Sequence, residues 1–252
     1  MIKTLAIVPA RGGSKRLPGK NIKNLNGKPL VFHTLDKALN HFDKVIFTSD
    51  DAKILKRVAR RYFLDIYFKD KLEILKRPKE LSTDTSKVID TVCHYFDNPK
   101  YEEYNQIWLM LPTCPLRGDE DIDNAKEKLT KEVDSVLTIT DYGFPPTLGL
   151  DLNIDGTISD WHDSRPWKNN NTRSQDHPRV YRPNGAIYGS WRKSFSKNRN
   201  FYFGKVVGLY MPRSRSVDID TELDFIIAES TLRNNRYNNT KKIWPWIKES
   251  FF

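Results

Sequence analysis

Two aspartates two positions apart are the clearest candidates for metal chemistry in this sequence. Asp218 and Asp220 lie in "SVDIDTELDF", residues 216–225. If this stretch is extended, side chains two apart point to the same side, so both carboxylates can bind one hard divalent cation such as Mg²⁺. In a nucleotide enzyme that cation would neutralise charge developing on a departing pyrophosphate. Two solvated aspartates at a strand end are the alternative interpretation.

A basic loop near the N-terminus has the composition of a phosphate-binding element. The stretch "PARGGSKRLPGKN", residues 9–21, follows the apolar run 5–8 and is rich in glycine, proline and cations. It has neither the P-loop spacing nor Gly-x-Gly-x-x-Gly. Backbone N–H groups at a glycine-opened turn can nevertheless bind a triphosphate together with cations; an exposed basic turn is the alternative. The cations in and beside the loop are Arg11, Lys15, Arg16, Lys20 and Lys23.

Three further stretches have the residues of rigid or polar turns. In "LMLPTCPLR" (109–117) two prolines would fix a turn at the floor of a pocket. The polar loop "RPKELSTDTSK" (77–87) could read the edges of a base, and "YRPNGAIYGS" (181–190) contains an Asn-Gly turn that leads into a strand. On residue chemistry alone, such stretches are structural turns more often than sites.

The hydrophobic pattern predicts the elements that would position these motifs. Apolar runs rich in β-branched residues predict buried strands at 5–8, 45–48, 107–111 and 133–140. Apolar residues every three or four positions predict helices at 29–39, 51–62, 88–96 and 122–129. Alternating strands and helices predict an α/β fold with a mostly parallel sheet. Because such sheets bind ligands at the carboxyl ends of their strands, the segments 11–13, 49–51 and 112–117 should converge on one crevice.

The pattern changes after residue 140. Residues 148–161 predict a hairpin with Asp155-Gly156 at its turn, followed by a long polar stretch at 162–179. Strands at 186–189 and 206–210 follow, and then a helix that begins at Thr221 with Asp224 as its capping partner. Near the end, Trp244-Pro245-Trp246 is expected to dock a C-terminal extension on the main body.

Composition limits the class of protein. The chain has 252 residues, 38% hydrophobic and 12% aromatic, which suits one large or two small folded domains. A net charge of +10 favours anionic ligands, although lysine-rich solubility explains it equally well. Cys93 and Cys114 are too few for a disulfide framework, and the N-terminal apolar run is too short for an export signal or membrane span. A cytoplasmic protein without a membrane partner is therefore expected.

Several catalytic classes lack their signatures in this sequence. The five histidines show no paired ligand spacing, no Gly-x-Ser-x-Gly elbow occurs, and neither cysteine has a catalytic context. Acyl-enzyme chemistry is therefore not indicated.

Taken in order, the five motifs resemble those of the acylneuraminate cytidylyltransferases, the CMP-sialic acid synthetases. The matching stretches span positions 9 to 225. The resemblance implies a Rossmann-like nucleotidyltransferase fold of the α/β class, CTP and an anionic acceptor as ligands, and Mg²⁺. It also implies a homodimer formed through an inserted segment, at about residues 141–181. The whole chain, 1–252, is expected to be one domain, with a C-terminal extension at 236–252.

The resemblance also implies a role for each matching residue. The implied catalytic residues are Arg11, Lys20, Asp218 and Asp220, of which the two aspartates would also bind the metal. The implied nucleotide-binding residues are Ala10, Arg11, Gly12, Lys15, Lys20, Asn21, Arg77, Ser82, Asp84, Thr85 and Ser86. The implied acceptor-binding residues are Thr113, Arg173, Tyr181, Arg182, Asn184 and Gly185. By analogy, the anomeric hydroxyl of the sugar attacks the α-phosphorus of CTP in line and releases pyrophosphate.

The acceptor half of the sequence departs from the sialate pattern. Leu111 and Cys114 replace the usual Gln and Ser, Thr147 replaces Lys, and Ser174 replaces an Arg. Such losses would leave polar groups of a nine-carbon acidic sugar unpaired. Four arginines still lie in and around the inserted segment: Arg165, Arg173, Arg179 and Arg182. The hypothesis is therefore an anionic acceptor other than ordinary N-acetylneuraminate: a modified nonulosonate, a shorter 3-deoxy-2-keto acid sugar, or a phosphonate.

Three competing functions remain open at this point. The same fold could transfer UMP or GMP instead of CMP. A nucleic-acid-binding module is suggested by the charge and by "TKKIWPWIK", but paired aspartates do not suit a phosphate-tracking groove, so no nucleic-acid partner is expected. A non-catalytic sensor would bind CTP without turnover.

Overall fold

Strands and helices alternate along the chain, as the hydrophobic pattern predicts. A computed structural model describes residues 1–62, 65 and 67–234. Its strands are β1 (Thr4–Pro9), β2 (Asn24–Leu25), β3 (Lys28–Pro29), β4 (Lys44–Ser49), β5 (Leu72–Lys76), β6 (Gln106–Leu109), β7 (Ser135–Asp141), β8 (Leu150–Leu152), β9 (Ile158–Asp160), β10 (Tyr181–Trp191) and β11 (Val206–Tyr210). Its helices are α1 (Leu30–His41), α2 (Ala52–Tyr62), α3 (Val88–Phe96), α4 (Asp119–Lys128), α5 (Arg192–Asn198) and α6 (Glu222–Arg233).

One seven-stranded sheet organises the described residues, with strand order β11-β7-β10-β6-β1-β4-β5. The neighbouring pairs are parallel except at β10, which runs antiparallel to both β6 and β7. The sheet is therefore mostly parallel, as predicted. The carboxyl ends of β1, β4 and β6 consequently share one edge, and the amino end of β10 reaches the same edge.

Both faces of the sheet are covered, which explains why its central strands are apolar throughout. Ala6 and Val8 of β1 pack with α1, α2 and α4, whereas Leu5 and Ile7 pack with α3 and α5. The alternation follows from the two-residue period of a strand. A smaller cluster around Ile219 joins α6 to the hairpin formed by β2 and β3. None of the described helices combines the length and hydropathy needed to cross a bilayer.

The differences from the sequence prediction lie mainly at element ends and at the sheet margin. The first two predicted strands and the helix at 88–96 are confirmed, as is the hairpin, formed by β8 and β9. The third strand stops at residue 109, before the proline-containing turn, and the fourth begins at 135, after a turn at 130–133. The edge strand β5 and the short helix α5 were not predicted. The predicted Trp244–Trp246 docking segment lies outside the described residues.

An ionic cluster ties α1 to α2 and gives a pH-dependent prediction. Asp36 accepts hydrogen bonds from Lys28 Nζ at 2.7 Å, Tyr62 Oη at 2.6 Å and Arg61 Nη2 at 3.1 Å. Burial raises the pKa of Asp36, but hydrogen bonds from Lys28 and Tyr62 outweigh it, so the pKa lies below its ordinary 3.8. This carboxylate therefore stabilises the fold above the unfolded-state pKa, and its contribution is lost as pH falls through the folded-state value.

Asp36→Asn is expected to lower the free energy of unfolding by about 2 kcal/mol near neutral pH, because it removes charge-assisted hydrogen bonds. The difference from wild type should begin to shrink below about pH 4 and vanish as pH falls through the lowered folded-state pKa, where the wild-type carboxylate becomes protonated. Urea denaturation of wild type and Asp36→Asn, near neutral pH and below about pH 4, measures this difference in the free energy of unfolding. A constant difference across the two conditions would contradict the assignment of Asp36 as the titrating group.

Candidate active site

Three loops meet at the carboxyl edge of the sheet, where the sequence predicts a ligand-binding crevice. The Gly12 amide, after β1, donates a hydrogen bond to Asp50 Oδ1, after β4, at 2.9 Å. The Ile219 amide donates to the Thr113 carbonyl, after β6, at 2.8 Å. The first contact joins two of the strand ends predicted to converge, and the parallel order β6-β1-β4 places the third at the same edge. The second contact places the segment containing Asp218 and Asp220, here called the aspartate segment (residues 216–220), against the loop after β6.

The basic loop (residues 9–21) is held on the aspartate segment by two cations. Lys20 Nζ donates to the Ile219 carbonyl and to Asp220 Oδ1, both at 2.8 Å. Arg16 Nη2 donates to Asp220 Oδ2 at 2.7 Å. Lys20 is buried, whereas Arg16 is exposed. A basic loop and a carboxylate pair that are about 200 residues apart in sequence are thus in direct contact.

The two aspartates have different surroundings. Ile219, between them, is fully buried in the cluster beneath α6, so in an extended segment its neighbours point to the other side. Asp218 is exposed, and Asp220 is partly buried by Arg16 and Lys20. The start of α6 fixes the backbone, because Asp224 Oδ2 accepts from the amides of Asp220 at 3.1 Å and Thr221 at 2.8 Å.

The donor set of the aspartate segment fits a magnesium ion that is only partly ligated by protein. Asp218 and Asp220 supply hard carboxylate oxygens, the ligand type that Mg²⁺ prefers. Within the described residues, no cluster of three or more His, Cys, Asp or Glu side chains is suited to a metal. A cation here would therefore complete its shell with phosphate oxygens and water, which is the usual arrangement for Mg²⁺ in nucleotide sites.

A second carboxylate lies across the start of the basic loop. Asp84 Oδ2 is 2.6 Å from Lys15 Nζ, and Asp84 Oδ1 is 3.8 Å from Arg11 Nη1. The hydrogen bond from Lys15, and then its charge, lower the pKa of Asp84. The loop at 82–86 therefore contacts two cations of the basic loop, Arg11 and Lys15. Its hydroxyls bond locally: Ser82 and Ser86 donate to backbone carbonyls, and Thr85 contacts a neighbouring threonine.

Two buried polar side chains at the crevice have an atom without a partner. Asn21 Nδ2 donates to the Arg11 carbonyl at 2.9 Å, and Arg77 Nη2 donates to the Thr48 carbonyl at 3.1 Å. Asn21 Oδ1 and Arg77 Nε have no hydrogen-bond partner in the described part of the chain. Burial lowers the pKa of Arg77, and Asp50 opposes that effect. Unpaired buried atoms are costly, so a bound ligand or water would satisfy them.

The predicted acceptor side converges on Gly185 and Cys114. Gly185 has φ 78°, and a Cβ there would lie 3.1 Å from Cys114 Sγ and 3.3 Å from Leu111 Cδ1. Cys114 Sγ donates to the Asn184 carbonyl at 3.0 Å. Burial, and then the nearby charge of Asp218, raise the pKa of the Cys114 thiol. The thiol therefore stays protonated at neutral pH and acts as a hydrogen-bond donor in this turn.

The remaining residues that were predicted to bind the acceptor differ in their burial and in their contacts. Asn184 is buried. Its Oδ1 accepts from Thr138 Oγ1 at 2.6 Å and its Nδ2 donates to Ser216 Oγ at 3.0 Å, so these bonds fix the position of the turn. The Tyr181 ring packs edge-on against another tyrosine, and Arg182 bonds only to a neighbouring carbonyl among its described contacts. Arg173 is exposed and pairs at 3.6 Å with Asp176, within the inserted segment. The described side-chain contacts of Arg173 lie within the inserted segment.

Sequence reasoning missed how Arg117 supports the site. Its side chain is fully buried, and it donates to Thr34 Oγ1 at 2.7 Å and to the Leu111 carbonyl. Burial lowers the pKa of Arg117 to about 10. The guanidinium joins α1 to the turn at 111–117. A lone arginine after two prolines carries no sequence signal of such burial.

A mostly parallel sheet with a basic loop and paired carboxylates at its carboxyl edge defines an α/β protein of the nucleotide-binding class. The family model described as cytidylyltransferase matches residues 5–144, more than half of the chain. The chain belongs to this family. The family predicted from the sequence motifs is thus confirmed.

Known relatives agree with this assignment. A CMP-N,N'-diacetyllegionaminic acid synthase of Legionella pneumophila is 31% identical over 244 residues, covering 93% of this chain and 98% of the relative. A pseudaminic acid cytidylyltransferase of Campylobacter jejuni is 30% identical, with 93% and 98% covered. An N-acylneuraminate cytidylyltransferase of Streptococcus agalactiae is 32% identical over 89% of this chain. The chain spans about half the length of the Streptococcus agalactiae relatives, 52%.

Solved structures share the fold. A CMP:2-keto-3-deoxy-manno-octonic acid synthetase complexed with CTP superposes with a TM-score of 0.63 at 16% identity, covering 92% of this chain and 98% of that chain. A 4-diphosphocytidyl-2C-methyl-D-erythritol synthase from Anaerococcus prevotii gives 0.60 at 14% identity, with 92% and 99% covered. At these identities the likeness establishes the nucleotidyltransferase-type fold alone.

Proposed function

We propose that this protein transfers CMP from CTP to an acidic sugar and releases pyrophosphate. The observation that carries the proposal is the contact of Lys20 and Arg16 with Asp220, which joins the proposed phosphate-binding cations to the proposed metal-binding carboxylate at the sheet edge. Family membership and the names of the relatives support the nucleotide and the acceptor class. The two free cysteines, Cys93 and Cys114, suit a reducing cytoplasm.

The chain's own groups account for binding and orientation. Arg11 and Lys15 would bind the triphosphate in place of water, while the Gly12 N–H, already bonded to Asp50, holds the glycine-opened turn in place. Asn21 and Arg77 would hold the loops beside the ribose and base in place through their bonds to the Arg11 and Thr48 carbonyls. Lys20, fixed by the Ile219 carbonyl, would hold its charge beside the phosphates. Mg²⁺ bound by the two aspartates would supply charge neutralisation at the leaving pyrophosphate.

This arrangement favours direct in-line attack. The anomeric hydroxyl of the acceptor would attack the α-phosphorus and lose its proton to solvent. The new oxygen–phosphorus bond would form, the bond from the α-phosphorus to the bridging oxygen would break, and pyrophosphate would leave with the electron pair. Phosphoryl transfer mainly needs positioning and electrostatic stabilisation, which cations and carboxylates at strand ends provide. A covalent intermediate on the protein is not required.

The acceptor is proposed to be a modified nonulosonate rather than ordinary N-acetylneuraminate. Leu111 presents an apolar side chain beside Gly185 where a sialate site has a glutamine. The Thr147 hydroxyl bonds to His177 Nδ1 at 2.8 Å, so it is engaged inside the inserted segment. Two curated relatives covered almost to full length are named for legionaminic and pseudaminic acids, which supports this choice. A shorter 3-deoxy-2-keto acid sugar or a phosphonate is the second candidate.

Pyrophosphate release with CTP and Mg²⁺ across a panel of acidic sugars tests the function. The panel holds N-acetylneuraminate, legionaminic and pseudaminic acids, a 3-deoxy-2-keto octonic acid and a phosphonate, with UTP and GTP as nucleotide controls. Release with CTP and one modified nonulosonate is expected. Turnover of N-acetylneuraminate at the highest rate would overturn the acceptor assignment, and CTP binding without any release would favour a sensor.

A homodimer is proposed to form through the inserted segment at about 141–181, within a single domain formed by 1–252. This segment exposes an unusual number of large apolar side chains, and such a patch marks an interaction surface. The exposed side chains are Phe144, Leu150, Leu152, Ile154, Ile158, Trp161 and Trp167. A second copy of the chain is the proposed partner.

Leu152→Asp/Ile158→Asp is expected to convert the dimer to a monomer. These residues are paired across β8 and β9, so their side chains share one face of the hairpin, and both are exposed. Burying two added carboxylates at an apolar interface would be costly. Light scattering after size exclusion measures the mass. Ile226→Asp, an exposed position on α6, is the control, and a monomeric wild type would refute the proposal.

A further inference from the structure

Asp220 is held by two cations that differ in burial. Both carboxylate oxygens are engaged: Oδ1 accepts from Lys20 and Oδ2 accepts from Arg16, at 2.8 and 2.7 Å. The Lys20 side chain is 10% exposed, whereas that of Arg16 is 67% exposed. A divalent cation that uses Asp220 as a ligand would be repelled by both of these cations, which differ in how easily they can move away.

The two ion pairs should not break equally easily. Lys20 Nζ is also bound to the Ile219 carbonyl, so moving it would strand an ammonium and a carbonyl in a poorly solvated place. The Arg16 guanidinium lies in solvent, where water replaces a lost partner at little cost. The hydrogen bond from Arg16 to Asp220 Oδ2 is consequently easier to break than the one from Lys20 to Oδ1.

The position of Arg16 gives the displaced guanidinium a new partner. Arg16 is next to Lys15, in the loop that faces the proposed triphosphate site. A guanidinium has a planar set of donors that suits phosphate oxygens at least as well as a carboxylate. When nucleotide is bound, its phosphates would therefore be a better partner for Arg16 than a carboxylate already shared with a cation.

We propose that Arg16 is an exchangeable counter-ion of Asp220. In the nucleotide-free protein it neutralises the carboxylate. When a divalent cation and CTP bind, Arg16 releases Oδ2 and contacts the phosphates of the nucleotide. Arg16 is thus a positioning residue that couples binding of the divalent cation at the aspartate segment to binding of the nucleotide. This inference rests on the proposed function, since it assumes CTP in the crevice.

Binding of Mn²⁺ to the nucleotide-free protein, measured by electron paramagnetic resonance, tests the first half. Arg16→Gln is expected to bind Mn²⁺ about fivefold more tightly than wild type, the upper end of what one exposed ion pair contributes. Arg16→Lys keeps the positive charge and should resemble wild type. Arg233→Gln is the matched control, because Arg233 is also 67% exposed and pairs with Glu229 far along α6.

CTP binding and turnover test the second half. With Mn²⁺ and acceptor saturating, Arg16→Gln is expected to lower kcat/KM for CTP about tenfold, the loss of one charge-assisted contact to phosphate. Arg233→Gln should leave it unchanged. Tighter Mn²⁺ binding together with weaker use of CTP supports the exchange.

The outcomes separate this inference from the proposed function. Equal or weaker Mn²⁺ binding in Arg16→Gln, or no Mn²⁺ binding in either protein, overturns the counter-ion role even if wild type releases pyrophosphate. Unchanged kcat/KM overturns the transfer of Arg16 to phosphate. Failure of wild type to turn over any acceptor overturns the proposed function, and the Mn²⁺ comparison still decides whether Arg16 competes for Asp220.

Discussion

Asp218→Asn and Asp220→Asn are each expected to lower the rate of pyrophosphate release by about 10²- to 10³-fold, the usual loss when one preorganised electrostatic group is removed. Asparagine keeps the shape of the side chain but removes the charge that a hard cation requires. Asp220→Asn has a second effect, since Lys20 and Arg16 lose their shared carboxylate. Its loss of rate should therefore be at least as large as that of Asp218→Asn.

Steady-state kinetics and calorimetric CTP titration together distinguish the roles of these aspartates. CTP affinity in the absence of metal should stay within a few-fold of wild type in Asp218→Asn, because Asp218 makes no described contact with the basic loop. Asp123→Asn, an exposed aspartate on α4 that bonds to His41, serves as the matched control. If Asp218→Asn retained full activity, Asp218 would have no part in the chemistry.

Gly189→Ala is expected to lower the free energy of unfolding by about 3 kcal/mol, the upper range for overpacking a core. A Cβ at position 189 would lie 2.3 Å from the Trp108 ring, which faces it across β6 and β10. The ring cannot move away, because it is fully buried, packs on Phe42 and donates to Gln106 Oε1 at 3.2 Å. The backbone of β10 must therefore shift instead.

Urea denaturation of Gly189→Ala provides the measurement, with an unchanged m-value required for a simple loss of stability. Gly13→Ala is the control for the substitution itself, since a Cβ at Gly13 would meet nothing within 4 Å. Stability equal to that of wild type in Gly189→Ala would mean that the sheet accommodates the methyl group without strain.

The sequence predicts the central strands because burial on both faces leaves a readable apolar run. In β5, by contrast, "LEILK" mixes charges with apolar residues, because an edge strand is only half covered, so the periodicity is ambiguous. Two-residue strands such as β2 and β3 are too short to produce any period. The start of α6 was predictable, since Thr221 and Asp224 form a local capping pair.

The composition of the site was more predictable than its contacts. Motif chemistry singled out the basic loop and both aspartates, but the pairing of Arg16 with Asp220 spans 204 residues, a distance over which spacing carries no information. The burial of Asn184 and the exposure of Arg173 depend on tertiary packing in the same way. The resemblance to a family supplied candidate roles for these residues, while only the fold shows their present partners.

The place of β10 in the sheet has a consequence for synthesis of the chain on the ribosome. Residues up to 128 can assemble β6, β1, β4 and β5 with their helices, yet β7 pairs only with β10 and β11 among the described strands. Until residue 191 emerges, the nascent chain would carry β7 without a neighbour and β6 with a free apolar edge. A chaperone that binds unfolded segments would be most useful during that interval. The interval ends when β10 pairs with both β6 and β7.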